Sequence, residues 1–267
     1  MQIICVEKID STHSFLCKKV RKGEVKGYLK QSEGEALCEI SSQIGLEDAL
    51  GQGGAKNSPS QSPSNQNKNE NLHENSSQNT IEAPFGLYAL EQTSGVGSRD
   101  NAWQSKRGNL HLSFCLKCEH LASDLPLSSA SIYFAFIFKE VLAAKGSAVW
   151  CKYPNDLYIN DKKIGGVMSS KINDFLIISL GLNVKFAPPN AAILDISVNL
   201  EDLVKDFAKE LEKNLSWKEI FEKYMVEFQK SKMYSFHYKG KEVPLNSVLL
   251  CDDGSILYQN KRIYSLR

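Results

Sequence analysis

Between residues 148 and 184 lie four strand-forming runs, "AVWCKY", "LYIN", "KIGGVMSS" and "FLIISLGLNV", divided by the turn-prone "PND", "ND" and "KIND". Runs this short, rich in β-branched and aromatic residues and joined by a few residues of turn chemistry, fold most simply as neighbouring antiparallel strands. Such a meander is not stable alone, because at least one of its faces must be buried against another layer.

The flanking sequence supplies that layer. "LSSASIYFAFIFKEVLAAKG" (127–146) predicts a helix with serines at its start and Gly146 after its end. "SVNLEDLVKDFAKELEKN" and "SWKEIFEKYMVEFQKS" predict two amphipathic helices, capped by Asn199 or Ser197 and by Ser216. Upstream, "FGLYALEQ" (85–92) and "NLHLSFCLK" (109–117) read as further strands. The tail from Tyr238 carries short strands around Gly and Asp-Gly turns. The expected class is α+β: a mixed, mostly antiparallel sheet backed by helices, with a main domain over 1–230 and a small β-rich C-terminal subdomain over 231–267. Residues 51–80 hold 20 Gly, Gln, Asn or Ser among 30 and almost nothing apolar, so they read as a disordered insert within one domain.

The net charge of +1 gives no long-range attraction to nucleic acid or to an anionic membrane. An anionic ligand would have to be held by local cations and backbone amides. No signal peptide precedes the first strand, and the longest apolar run, "IYFAFIF", is too short to span a bilayer. Seven cysteines, an odd number, suit reduced thiols and a cytoplasmic setting. Cys115 and Cys118 form a C-x-x-C near His120. Zinc there would need further ligands, and the simpler reading makes Cys115 a strand residue.

Four segments carry possible chemistry. In "QTSGVGSRDNAW" (92–103), Gly95 and Gly97 permit close backbone approach, and Ser98 and Arg99 could complete an anion cradle; the same pattern also occurs in surface loops. In "KYPNDLYINDKKIGGV" (152–167), Lys152 and Lys163 are candidate charges for a carboxylate or phosphate. Asn155 and Asp156 could take a hydroxyl, an amine or a magnesium shell, and Gly165 and Gly166 leave room for a flat ligand. A plain hairpin with solvated lysines reads equally well. "IDSTHS" places Ser11 and Thr12 either in a site or at a helix cap, and Asn183 in "SLGLNV" is a site group or a turn residue.

In this order, "DSTH", "QTSGVGSRDNAW", "KYPNDL", "KIGGV" and "GLNV" resemble the motifs of biotin protein ligases (holocarboxylase synthetases). Those enzymes carry D-S-T-N, a Q-T-x-G-R-G-R loop ending in Trp, K-W-P-N-D, K-[LIV]-[AG]-G and G-[LI]-N. The resemblance covers nearly all of the chain outside 51–80 and is weakest in the tail. It implies the biotin ligase-like fold shared with class II aminoacyl-tRNA synthetases, and a shortened SH3-like tail. It also implies activation of biotin by ATP and Mg2+ to biotinyl-5′-AMP, followed by transfer to a lysine of a biotin carboxyl-carrier domain.

Carried over, Lys163 contacts the carboxylate and phosphate, with Lys152 and Arg99 as further catalytic cations. Ser11, Thr12, His13 and Gln92 face the biotin ring. Gly95, Val96, Gly97 and Ser98 form the loop that closes on biotin, and Gly165 and Gly166 lie along its tail. Arg99, Trp103, Asn155, Asp156 and Asn183 line the nucleotide, with Asp156 as the magnesium ligand. Two departures stand out: Val96 and Ser98 occupy the positions of the loop's arginines, and His13 replaces an asparagine. No DNA-binding segment precedes the first strand, so no DNA partner is expected; a homodimer is plausible for the family. A lipoate–protein ligase and a degenerate biotin-binding regulator are the alternatives. Because loop length costs little free energy, excising residues 51–80 should leave adenylate formation, measured as pyrophosphate release, largely intact. A large loss would show that the insert contributes to the reaction.

Overall fold

A computed structural model describes residues 1–27, 40–41, 81–97 and 102–264. The insert at 51–80 and loop residues Ser98 and Arg99 lie outside the described residues. The chain runs β1 (Gln2–Ile9), α1 (Thr12–Arg21), β2 (Val25–Gly27), β3 (Ile40–Ser41), β4 (Ile81–Ala83), β5 (Phe85–Gln92) and β6 (Leu110–Lys117). Then follow α2 (Ala130–Ala144), β7 (Trp150–Lys152), β8 (Asp156–Ile159), β9 (Lys162–Ile172) and β10 (Phe175–Leu182). Helices α3 (Leu200–Glu212) and α4 (Trp217–Ser231) precede β11 (Ser235–Tyr238), β12 (Lys241–Pro244), β13 (Leu249–Leu250), β14 (Ile256–Tyr258) and β15 (Lys261–Ile263).

The main sheet has eight strands in the order β3-β1-β5-β6-β10-β9-β8-β7. Strand β1 pairs in parallel with β3 and β5, and every other neighbouring pair is antiparallel. The meander expected at 148–184 is present as β7 to β10. Its two-residue turn at Asn160-Asp161 works because Asn160 takes a left-handed conformation, with φ of 51°.

Helices α2, α3 and α4 cover one face. Helix α2 is apolar on nearly every side, and Leu127–Ala144 is long and apolar enough by composition to cross a membrane. The fold uses it otherwise: Ile132, Phe134, Phe136, Phe138 and Leu142 are buried in the core, as expected for a helix enclosed on all sides. Phe207 of α3 meets Phe114 of β6 and Phe138 of α2 edge-on, at 5.7 and 4.9 Å between ring centroids.

The caps follow the sequence. Asn199 accepts from Asp202 N at 3.1 Å, and Ser216 and Glu219 form a capping box. At α2 the expected serine cap is absent: Ser129 makes no cap bond, and its hydroxyl donates to Asp253 O in the C-terminal segment. Trp217 Nε1 donates to Asp252 O at 2.8 Å, so the turn before β14 is tied to two helices. Val243, Leu245, Val248 and Ile256 of this β-rich tail belong to the same buried cluster as the main core.

On the opposite face α1 is the helix that covers the sheet among the described residues. Leu16, Cys17 and Val20 pack with Ile4, Leu87, Cys115 and Ile177 in a second buried cluster. Cys115 is a buried strand residue, and no three His, Cys, Asp or Glu among the described residues converge as a metal site. Phe207→Ala should destabilise the protein by about 3–5 kcal/mol, because it empties a volume walled by three elements. Urea denaturation checks this, and a loss below about 1 kcal/mol would show that the helical layer repacks.

Candidate active site

Three adjacent strands change chemistry at the same level on the face of α1. Beneath the helix, β6 and β10 present Cys115 and Ile177. Two residues earlier in β6 and later in β10, Ser113 pairs with Ser179, and Ser179 pairs with Met168 of β9. Two residues further, His111 pairs with Gly181, Gly181 with Gly166, and Gly166 with Asp156 of β8. Because side chains alternate along a strand, these polar and small residues share one face. They floor a cleft between α1 and the Pro-Asn-Asp corner.

One end of the cleft is a chain of hydroxyls. Thr12 Oγ1 lies 2.8 Å from Ser113 Oγ, which lies 2.7 Å from Ser179 Oγ, which lies 2.8 Å from His13 Nδ1. Gln92 Oε1 accepts from Thr12 N at 2.8 Å, and its Nε2 donates to Ser105 Oγ at 2.9 Å. Ser11 caps α1, accepting from Ser14 N at 3.3 Å, and also lines the cleft. The cap and site readings of Ser11-Thr12 therefore hold together. Burial, reinforced by Arg21, holds the His13 imidazole down at about 4, so near neutral pH it is an uncharged member of the chain.

The other end is built around the Pro-Asn-Asp corner, whose Tyr153–Pro154 peptide is cis. The corner is held from behind: Tyr153 N donates to Ser231 Oγ at 2.9 Å, and Tyr224 OH donates to Pro154 O at 3.2 Å. Asn155 Nδ2 donates to Val167 O. The register between β8 and β9 slips beside Leu157, so that Tyr158 pairs with Lys163 and Ile164 is passed over. The extra residue, Ile164, shifts the alternation of faces along β9, and the residue so turned to the Gly166 side is Lys163. Its carbonyl accepts from Ala192 N at 3.0 Å, and its Nζ lies 2.7 Å from Asp156 Oδ1.

Among the described residues, the buried side-chain atoms that lack a hydrogen-bond partner are Trp103 Nε1, His111 Nδ1 and Asn155 Oδ1. All three residues line this one cleft. An unpaired buried polar atom costs about 1–3 kcal/mol, and a ligand bearing complementary groups would recover that cost. Trp103 lies across β10: a Cβ on Gly181 would come within 2.6 Å of its indole, which is why that position has no side chain.

Of the residues expected from sequence, Ser11, Thr12, His13, Gln92, Val96, Gly97, Trp103, Asn155, Asp156, Lys163 and Gly166 line the cleft. Four do not. Lys152 is drawn instead into an aromatic cage, its Nζ 3.2 Å from Tyr158 OH and 4.8 and 5.1 Å from the ring centroids of Tyr234 and Tyr158. Burial lowers its pKa, with Asp156 opposing and Lys163 adding to that effect. Gly165 faces β10, where a Cβ would meet Gly181 O at 2.5 Å, and so leaves no room for a ligand tail. Gly95 gives way to Ser105 and to the Trp103 carbonyl, and Trp103 N donates to Gly95 O at 2.8 Å. Asn183 Nδ2 donates to Ala192 O at 3.2 Å, anchoring the segment beside Lys163.

The magnesium expectation for Asp156 is not met by the donor set. Asp156 is the one carboxylate among the described lining residues, and its Oδ1 is engaged by Lys163.

Both cleft histidines are kept neutral by burial, His13 and His111 each at about 4 against an ordinary 6.5. Between those values the unfolded chain binds more protons, so stability should fall as pH drops from 6.5 to 4 and these groups should add nothing further below that. Urea midpoints across this range, with NMR titration of the two imidazoles, check the assignment. Imidazoles titrating near 6.5 would contradict it.

The model of the biotin/lipoate A/B protein ligase family matches residues 59–184. Biotin–protein ligase 2 of Arabidopsis thaliana is 32% identical over 154 residues, which are 50% of this chain and 46% of that protein. The chain thus spans about half the length of this curated relative. A Helicobacter pylori biotin acetyl coenzyme A carboxylase synthetase, solved with bound biotinylated ATP, superposes with a TM-score of 0.73 at 28% identity, over 98% of this chain and 99% of that one. Biotin protein ligase from Aquifex aeolicus, in complex with biotin and ATP, shares the fold with a TM-score of 0.61 at 18% identity, covering 100% of this chain and 96% of that one. Residues 59–184 thus match the model of the biotin/lipoate A/B protein ligase family, and over nearly its whole length the chain is similar to the Helicobacter pylori enzyme.

Proposed function

We propose that the protein is an ATP-dependent biotin–protein ligase. The observation that carries this reading is one continuous cleft with a neutral hydroxyl chain at one end and the Lys163–Asp156 pair at the other. Biotin has matching poles: a uncharged ureido ring rich in donors and acceptors, and a carboxylate at the end of an aliphatic tail. Lipoate presents a dithiolane in place of the ureido group and would leave the hydroxyl chain unanswered. The Helicobacter pylori structure, solved with bound biotinylated ATP, supports the same pairing of substrates.

In the first step a carboxylate oxygen of biotin attacks the α-phosphorus of ATP. A phosphorus–oxygen bond forms, the bond to the β-phosphate oxygen breaks, and pyrophosphate leaves with its electron pair. Two anions must meet, and the Lys163 ammonium, fixed by Asp156, offers preorganised positive charge between them. In the second step a lysine amine of a carrier domain attacks the acyl carbon, and AMP leaves with the bridging oxygen. The proton that the amine sheds passes to water. Magnesium, as in other phosphoryl transfers, would enter with the ATP phosphates. Free thiols at the described cysteines support a reducing, cytoplasmic setting.

Incubation with ATP, magnesium, an apo carrier domain, and either biotin or lipoate tests the reading. Biotin should be transferred and lipoate not; the reverse outcome overturns it. Lys163→Ala should cut adenylate formation by about 10²-fold or more. Unchanged pyrophosphate release in that variant would remove Lys163 from the first step.

A further inference from the structure

Three consecutive carbonyls of the turn between β13 and β14 are each taken by a side chain from a different part of the chain. Trp217 Nε1, at the start of α4, donates to Asp252 O at 2.8 Å, and Ser129 Oγ, just before α2, donates to Asp253 O. The third is Tyr153, whose OH donates to Gly254 O at 3.3 Å. The turn is stiffened from within. Gly254 N donates to Cys251 O at 2.9 Å, while Asp253 accepts from Ser255 N at 3.0 Å and from Arg262 Nη1 at 2.6 Å. Gly254 takes a φ of 76°, and a Cβ on it would come within 2.5 Å of Ser129 Oγ, so glycine lets the turn lie this close to α2.

Through the third contact the turn reaches the site. Tyr153 opens the Pro-Asn-Asp corner, and its side chain is buried on the helical side of the sheet, where its ring meets Phe228 of α4 edge-on at 5.5 Å. A phenylalanine would fill that space as well, and a buried hydroxyl is a cost unless it is paired. The hydroxyl therefore serves the contact with the tail. At the other end of the corner stands Asp156, with its Oδ1 2.7 Å from Lys163 Nζ. Between the two, Asn155 Nδ2 is bonded to Val167 O, so a shift at Tyr153 has little slack to absorb it before Asp156. Neither Tyr153 nor the turn at 252–254 lines the cleft.

We propose that the β-rich tail takes part in adenylate formation as a positioning element, and that Tyr153 is the residue through which it acts. The turn at 252–254 holds the Tyr153 hydroxyl, and Tyr153 holds the corner that sets Asp156 against Lys163. This rests on the ligase reading above. It makes Tyr153 a positioning residue and assigns it no contact with substrate.

The test first counts biotin-binding sites by titration and then measures single-turnover adenylate formation per site, so that unfolded protein is not read as slow protein. Tyr153→Phe removes only the hydroxyl and should slow the rate per site about tenfold, within the cost of a small misplacement of a reacting group. The Kd for biotin should stay within about twofold, because the lost interaction acts on the reaction and not on the bound ground state. Gly254→Ala disturbs the same contact from the tail and should slow the rate by a similar factor. Because both act through one contact, the double variant should be no slower than the slower single, whereas independent sites would multiply their effects. Val243→Ala, a lesion in the buried part of the tail outside the turn, should lower the urea midpoint and leave the rate per site unchanged. A Tyr153→Phe variant with the full rate per site would overturn the inference. So would effects that multiply in the double variant, or a Val243→Ala variant slowed as much as Tyr153→Phe, since the rate would then follow stability alone. If the unaltered protein binds biotin and forms no adenylate, the ligase reading itself fails and the inference falls with it, an outcome distinct from a rate that survives loss of the hydroxyl.

Discussion

A sheet of eight strands extends about 34 Å across its strands, and among the described residues the cover on one of its faces is a single ten-residue helix about 15 Å long. The opposite face has three helices, and the main core forms there. The unequal cover creates the site. Beneath α1 the strands present Cys115, Ile177 and Leu87, and beyond its reach the same strands must present groups that tolerate water or a ligand. Ser113, Ser179, His111, Gly181 and Gly166 are those groups, and the pleat keeps them on one surface.

Two local devices then turn an exposed patch of sheet into a place for chemistry. The N-terminus of α1 returns Thr12 and His13 to the floor, where they close the hydroxyl chain with the sheet serines. At the other end, the extra residue Ile164 turns the Lys163 side chain toward Asp156, while Ser231 and Tyr224 brace the corner that precedes Asp156. The braces come from α4, on the helical side of the sheet. Core packing and site geometry therefore share residues, and a lesion in α4 should be felt at the corner.

Much of this was legible in the sequence because local chemistry decides it. The meander, the caps at Asn199 and Ser216, and the strands at 85–92 and 110–117 follow from turn residues and apolar periodicity. The site motifs gave Thr12, Gln92, Asn155, Asp156 and Lys163, all of which line the cleft. Where the structure places a residue otherwise than the motifs suggest, neighbours in the fold decide it. Lys152 looked like a phosphate ligand, but Tyr158 and Tyr234 capture it. Gly165 looked like room for a ligand, and the room belongs to β10. His111, Ser113 and Ser179 were overlooked although a signal was present. Each is a polar residue on the alternate positions of an otherwise apolar strand, a pattern that marks a face turned away from the core.

The central claim is that Lys163 brings a carboxylate to the α-phosphorus of ATP, and the path of the carboxylate oxygen tests it most directly. Biotin labelled with heavy oxygen in both carboxylate positions is supplied with ATP and an apo carrier domain, and the AMP released is weighed by mass spectrometry. The account predicts that each AMP carries one heavy oxygen, because the attacking oxygen becomes the bridge and leaves with the phosphate. Unlabelled AMP alongside biotinylated carrier would contradict it.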